Sequence, residues 1–210
     1  MVKKVCILTK SVKDRGYCVA GIDVENGEWV RRVNSKDGDA IPKEIMDEES
    51  NPIEVLDVIA VELKGRVPRG CQTENWLIDK KSPILKMESL TLNDILKIKQ
   101  LDRPDYVFIN DKSELTVDEV KRLKYSLLFI EARDLVFDTS MKGDGRHHHK
   151  VSFTYNGTEY TACLTDPQFR KEELDDLPVI RAFLVVSIPA VSYENDLFYK
   201  FVAKIFTAKL

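Results

Sequence analysis

Residues 17–33 read YCVAGIDVENGEWVRRV, and this stretch predicts two short strands joined by a tight turn. Its first half is rich in β-branched and small residues, which suits a strand that packs on both faces. Asn26-Gly27 then separates it from a strand at Trp29, and Asn-Gly between two such runs is a strong hairpin signal. Together with the apolar run at residues 4–9, the region predicts three strands that open a small β-barrel.

Strand candidates recur along the rest of the chain, so the sequence predicts a mainly β protein with a few helices. A long candidate at 54–64 completes the first half, and the others lie at 126–132, 149–155, 159–164, 183–188 and 197–206. Asn156-Gly157 marks a second hairpin. Each half has about the strand inventory of one five-stranded Greek-key barrel. We place the boundary near Arg103-Pro104, which gives domains at 1–103 and 104–210.

Two helices are predicted between these strand groups. Thr91 followed by Asp94, and Thr116 followed by Glu119, each have the spacing of a capping box, ahead of apolar residues at helical spacing.

Composition describes an ordinary globular chain whose charges are segregated. Among 210 residues, 43% are hydrophobic and the net charge is −3, which argues against a surface that is basic throughout. Residues 1–36 nevertheless carry eight Lys or Arg against four Asp or Glu. Residues 37–50 reverse this balance, with six acids against Lys43 alone. A basic region near the N terminus is therefore followed by an acidic loop.

The cysteines and the N terminus bear on cellular location. The four cysteines stand singly without a CxxC pair, which disfavours a zinc ribbon or a redox motif. The first apolar run is too short for a signal peptide, and no later run reaches membrane-spanning length. We therefore expect a cytoplasmic protein with reduced thiols and no membrane association.

Basic and aromatic side chains gather at the ends of the first three strands. Arginine matches phosphate oxygens, and aromatic rings stack on bases, so this pattern favours a nucleic-acid-binding face. The alternative is that Trp29 packs in the core; Arg31 would then point inward as well and need a carboxylate such as Asp57 or Asp23. The candidate nucleic-acid-binding residues are Lys10, Ser11, Lys13, Trp29, Arg31 and Arg32.

Three further polar residues are candidates for a site, each with a structural alternative. Asn75 follows a Gly/Pro-rich loop that it could pin, Asp166 precedes Pro167 where it could cap a helix, and Lys200 lies inside an apolar strand. His147 and His149 could face the same way on a strand, but two histidines supply too few ligands for a catalytic zinc. We expect no metal and no cofactor.

The sequence resembles the dual-OB-containing (DuOB) domain family, and the resemblance covers most of the chain. It implies two consecutive OB-like barrels and a nucleic-acid-binding role. The residues that carry it are Leu8-Thr9-Lys10-Ser11-Val12-Lys13, Tyr17-Cys18-Val19-Ala20-Gly21-Ile22-Asp23, Trp29-Val30-Arg31, Leu56-Asp57-Val58, Thr73-Glu74-Asn75, Tyr160 with Thr165-Asp166-Pro167, Val185-Val186-Ser187 and Tyr199-Lys200-Phe201-Val202-Ala203.

Three hypotheses of function follow. The first is a protein that binds nucleic acid, single-stranded rather than duplex, at the basic-aromatic face. The second is a nucleotide- or nucleic-acid-processing enzyme with Asn75, Asp166 and Lys200 assembled between the barrels, although no GxSxG, P-loop or GxGxxG motif is present. The third is a protein-interaction or regulatory module with a protein partner.

Overall fold

The computed structural model describes residues 1–13, 16–38, 40–41, 46–141, 147–171, 179–193 and 195–207. The chain divides into two compact units, residues 1–100 and 101–210. The boundary that the sequence predicts, at residue 103, falls beside this division.

The first unit is a ring of five strands with a sixth at its side. Strands β1, β2, β3, β5 and β4 follow one another in hydrogen-bonded order, the pairing of β1 with β4 closes the ring, and β6 pairs with β4. Within these strands, β3 and β5 are the one parallel pair. The strands are β1 (Val2–Lys13), β2 (Gly16–Asp23), β3 (Trp29–Val33), β4 (Asp57–Arg66), β5 (Asn75–Ile78) and β6 (Leu85–Ser89).

The second unit contains a closed barrel of five strands in the order β8-β9-β10-β13-β11. Here β10 and β13 form the parallel pair among the described strands. A small two-stranded sheet of β7 and β12 accompanies the barrel. The strands are β7 (Glu114–Thr116), β8 (Leu127–Met141), β9 (His147–Tyr155), β10 (Thr158–Leu164), β11 (Val179–Ser187), β12 (Leu197–Tyr199) and β13 (Phe201–Thr207).

Both rings share one topology. If the five barrel strands of each unit are numbered along the chain, both close in the order 1-2-3-5-4-1, and strand 3 runs parallel to strand 5. This is the five-stranded Greek-key arrangement of an OB barrel. The prediction of a mainly β chain with two consecutive OB-like barrels is therefore confirmed.

The local signals in the sequence produce the expected turns. Gly27 has a φ of 71° and donates its backbone N–H to Asp23 O, which closes the first hairpin. In the second, Asn156 and Gly157 have φ values of 47° and 76°, and the strands pair directly on either side of them. Positive φ at both central residues is what a two-residue hairpin turn requires.

The helices are short and capped as predicted. They are α1 (Leu92–Ile98), α2 (Val117–Arg122) and α3 (Gln168–Lys171). Thr91 with Asp94, and Thr116 with Glu119, each form both hydrogen bonds of a capping box. Across the described residues, no helix is long and apolar enough to cross a membrane.

Glycine at one position lets two strands of the first barrel approach closely. A Cβ placed on Gly21 in β2 would overlap the carbonyl oxygen of Cys6 in β1. We expect Gly21→Ala to lower the free energy of unfolding by about 1–3 kcal/mol, because the backbone of β1 would have to move. Urea denaturation measures this effect.

Gly157→Asn is the matched control for this substitution. Gly157 has open space around its Cα and a positive φ that asparagine tolerates, so we expect a loss of less than about 1 kcal/mol. A Gly21→Ala variant as stable as the parent chain would contradict the close approach of β1 and β2.

Candidate nucleic-acid interface

Lys10 and Ser11 in β1 make contacts within the first unit. Lys10 Nζ lies 2.6 Å from Ile53 O and 3.1 Å from Glu54 Oε2. Ser11 is buried and pairs with Cys18 of β2. The side chain of Lys13, the last residue of β1, lies outside the described part of the structure.

Arg31 is buried and bound to a carboxylate. Its Nε and Nη2 atoms lie 3.2 and 3.1 Å from Glu74 Oε1, and its backbone N–H donates to Glu74 O at 2.9 Å. The sequence suggested Asp57 or Asp23 as the partner, and that suggestion is wrong. Asp23 instead pairs with Lys3, and Asp57 pairs with Lys86.

Arg32 is also buried, on the opposite face of β3. Its register neighbours are Val19 and Trp76, which both belong to the hydrophobic core of the first unit. Its Nε and Nη1 atoms have no hydrogen-bond partner. Burial lowers the pKa of Arg32 to about 10.

Trp29 is half-buried beside the end of α1. Lys99 Nζ lies 5.5 Å from the centre of the indole ring, and the indole Nε1 atom is buried without a hydrogen-bond partner. With Ser11, Arg31 and Arg32 buried, the described side chains of the six candidates do not form one open basic-aromatic surface. That they bind nucleic acid stays a prediction.

The three other polar candidates each form hydrogen bonds within their own unit. Asn75 in the first unit is fully buried, and its Nδ2 donates to Gln72 Oε1 at 3.2 Å. In the second unit, Lys200 Nζ donates to Asn110 O at 2.9 Å, to Asn110 Oδ1 at 2.8 Å and to Lys112 O. Burial lowers the pKa of Lys200 to about 8.

Asp166 connects strands 3 and 5 of the second barrel. It lies just after β10, accepts the backbone N–H of Ile205 in β13 at 3.0 Å and pairs with Lys204 Nζ at 3.0 Å. It also accepts the N–H of Gln168 at the start of α3, as the capping interpretation predicts. Asp166 and Lys200 have different partners in the second unit.

A surface that the sequence analysis did not single out lies at one end of the second barrel. Lys150 in β9, Cys163 in β10 and Phe201 in β13 are neighbours in register across three strands. The Tyr193 ring, whose residue is 50% exposed, lies 6.4 Å from the Phe201 ring and 5.3 Å from the Tyr199 ring. We call Lys150, Tyr193, Tyr199 and Phe201 the aromatic platform.

The location of the aromatic platform matches the ligand face of OB barrels. β9 and β10 are strands 2 and 3 of the barrel, and Tyr193 lies in the connection between strands 4 and 5. OB barrels bind oligonucleotides with these strands and this connection. Lys150 is half-buried and forms no ion pair with any described residue. In the sequence, the feature that indicates this surface is the high density of aromatic residues at positions 193–201.

A second concave feature, of about 450 Å³, lies around the hairpin turn of the same unit. Its walls include Arg103, Arg133, Thr154, Asn156 and Gly157. Among described residues, neither arginine has a hydrogen-bond or ion-pair partner. We call this cavity the arginine pocket.

Glu131 also lines the arginine pocket, and its partner is Arg181. Arg181 Nε and Nη2 lie 2.7 and 3.0 Å from the two carboxylate oxygens. These hydrogen bonds, followed by the charges of Arg181, Arg133 and Arg103, lower the pKa of Glu131. Asp102 lines the pocket as well, so its walls hold two arginines and two acidic residues.

The fold and these sites define a protein with two OB barrels. The family model of the dual OB-containing domain matches residues 3–205, and the chain belongs to this family. None of the curated proteins matches the sequence.

Solved structures with similar chains have low sequence identity. The chain of a murine DNA binding protein bound with ds DNA is 8% identical with a TM-score of 0.40, and the match covers 100% of this chain and 97% of that one. The p204 HINb domain is 10% identical with a TM-score of 0.39, and 96% of each chain is covered. The tetrameric p202 HIN2 domain is 10% identical with a TM-score of 0.34, with 99% and 92% covered.

The burial of Arg31 predicts a large effect on stability. Arg31→Met leaves the buried Glu74 carboxylate without its cation, so we expect the free energy of unfolding to fall by about 3–5 kcal/mol. Replacing both residues by methionine should recover most of this loss, because no buried charge then remains. Urea denaturation of the single and double variants measures both effects.

Lys97→Met is the control, since its pair with Asp94 is solvent-exposed and should contribute at most about 1 kcal/mol. Equal stability of Arg31→Met and Lys97→Met would show that the Arg31 pair does not support the fold.

Proposed function

We propose that this chain binds nucleic acid, single-stranded rather than duplex, through the aromatic platform of its second barrel. The observation that carries the proposal is the half-exposed Tyr193 ring beside Tyr199 and Phe201, on the face that OB barrels use for ligands. Unpaired bases can stack on such rings, whereas the bases of a duplex are already stacked on each other.

The magnitudes expected for these contacts are sufficient for moderate binding. Stacking of one base on an aromatic side chain contributes about 1–3 kcal/mol. A cation such as Lys150 that neutralises one phosphate makes the logarithm of affinity fall with the logarithm of salt concentration with a slope of about −0.7 on single strands. Because Lys150 is the one cation of the aromatic platform, binding through this surface should show a slope close to that of a single phosphate contact.

The first barrel supports the proposal less directly. Lys10, Ser11, Trp29, Arg31 and Arg32 make contacts inside the unit or are buried, as described above. We assign Arg31 to the positioning of β5 rather than to direct ligand contact. A location in the cytoplasm, and a site between the barrels, remain predictions from the sequence.

A second candidate function is the binding of a phosphorylated small molecule such as a mononucleotide. The arginine pocket favours it, because 450 Å³ falls within the size range of small-molecule sites and the side chains of its two arginines form no hydrogen bond or ion pair with a described residue. Guanidinium groups match phosphate oxygens in a bidentate manner.

Binding of labelled single-stranded oligonucleotides, followed by fluorescence anisotropy over a salt series, tests the first candidate. We expect Tyr193→Ala to weaken binding about 5- to 150-fold, the equivalent of one lost stacking contact. Tyr106→Ala is the matched control, because Tyr106 is similarly exposed in the same unit but is not part of the aromatic platform. Its affinity should equal that of the parent chain.

Arg133→Ala separates the two candidates. If the aromatic platform is the binding site, this variant keeps its oligonucleotide affinity whether or not it binds mononucleotides. Loss of oligonucleotide binding in Arg133→Ala together with unchanged binding in Tyr193→Ala would overturn the proposal in favour of the arginine pocket. Absence of oligonucleotide binding at low salt would overturn it altogether.

A further inference from the structure

Arg32 is a buried cation that forms no ion pair with any residue that the structure describes. It is 3% exposed, and its Nε and Nη1 atoms have no hydrogen-bond partner. The adjacent Arg31 is as deeply buried but is paired with Glu74. A buried guanidinium that is neither paired nor fully hydrogen-bonded opposes folding, so its presence needs a physical reason.

A small cavity adjoins Arg32 at the end of the first barrel. Tyr17, Cys18, Gly38 and Gln72 contribute to its walls together with Arg32. Its volume is about 20 Å³, which accommodates one atom of the size of a water oxygen. The cavity therefore admits a single oxygen and excludes a base or a sugar ring.

Further polar groups surround this end of the barrel. Asn75 is fully buried, and its Oδ1 atom has no hydrogen-bond partner. Gly38 has a φ of 76°, and a Cβ on it would lie 3.8 Å from Asn75 Nδ2. Arg69 donates to the carbonyl of Asp37 and so holds the backbone beside Gly38.

We propose that Arg32 is an oxyanion-binding residue, and that the cavity beside it takes one oxygen of a phosphate group. A water molecule could fill the space but would leave the guanidinium charge unbalanced, whereas a phosphate oxygen supplies both a hydrogen-bond acceptor and a negative charge. The phosphate is either free inorganic phosphate or part of a nucleic-acid backbone, and the chemistry at Arg32 is the same for both.

Two observations agree with this assignment. Burial lowers the pKa of Arg32, and no acidic group of the described residues contributes to the shift. Gln72, which lines the cavity, belongs to the 67–74 connection between strands 4 and 5, and OB barrels bind ligands with this connection. The site belongs to the first barrel, so it is independent of the aromatic platform.

The proposal predicts that Arg32 lowers stability in the absence of ligand. Arg32→Met keeps an unbranched apolar side chain in the core and removes the unbalanced charge. We therefore expect this variant to melt at a higher temperature than the parent chain without phosphate, and to lose the response to phosphate. Arg31→Met should melt at a lower temperature, because it leaves Glu74 unpaired.

Thermal melts of the full chain, followed by tryptophan fluorescence, provide the measurement. Trp29 and Trp76 are the two tryptophans of the sequence, and both lie in the first unit. The samples contain sodium phosphate or sodium chloride at equal ionic strength. We expect phosphate to raise the melting temperature of the parent chain by several degrees more than chloride does, and Lys97→Met to respond like the parent chain.

Two arms identify the source of the phosphate. An Arg32-dependent rise in melting temperature with inorganic phosphate supports a site for the free ion. Contact with a nucleic-acid backbone is supported if a single-stranded oligonucleotide raises the melting temperature in an Arg32-dependent manner and inorganic phosphate does not. The aromatic platform lies in the other barrel. In Tyr193→Ala, the Arg32-dependent rise in melting temperature should therefore still be measurable with either ligand.

Several outcomes would overturn the proposal. The first is that chloride and phosphate change the melting temperature equally and the oligonucleotide does not change it. The second is that Arg32→Met keeps the full rise in melting temperature with ligand. The third is that Arg32→Met folds but, without ligand, melts at a lower temperature than the parent chain. If Arg32→Met does not fold, Arg32→Lys retains the charge without the planar fork and should respond more weakly. A full response in Arg32→Lys would then overturn the proposal.

Discussion

A buried ion pair lies between strand 3 and strand 5 in each barrel, and closure of the barrel requires that neither buried charge is left without its partner. In the first barrel, Arg31 of β3 binds Glu74, which directly precedes β5. In the second, Asp166 follows β10 and binds Lys204 of β13. A parallel pair cannot be joined by a hairpin, so these strands meet across a long stretch of chain. The two ion pairs therefore connect parallel strands that a tight turn cannot connect.

This requirement explains how the chain uses its charged residues. Charged residues of the types found in catalytic and binding sites here form contacts within their own unit. This is the case for Arg31, Asp166 and Lys200. Lys150 and the arginine pocket differ, because their cations have no partners among the described residues.

Local features were predictable from the sequence, and long-range ones were not. The turn at Asn156-Gly157 and the caps at Thr91 and Thr116 follow from residues within four positions of each other. Strand β5 is only four residues long and follows an irregular loop, so its pairing with β3 left no local pattern. For that reason the sequence suggested the wrong carboxylates for Arg31. The rings of the aromatic platform lie within residues 193–201, but their position beside Lys150 follows from the long-range pairing of β9, β10 and β13.

The account rests on contact between nucleic acid and the platform of the second barrel. Ultraviolet cross-linking of the full chain to a thymidine-rich single strand, followed by mass spectrometry of the peptides, tests this contact most directly. The account predicts cross-linked peptides that contain Tyr193, Tyr199 or Phe201. Cross-links confined to residues 1–100, or to the walls of the arginine pocket, would contradict it.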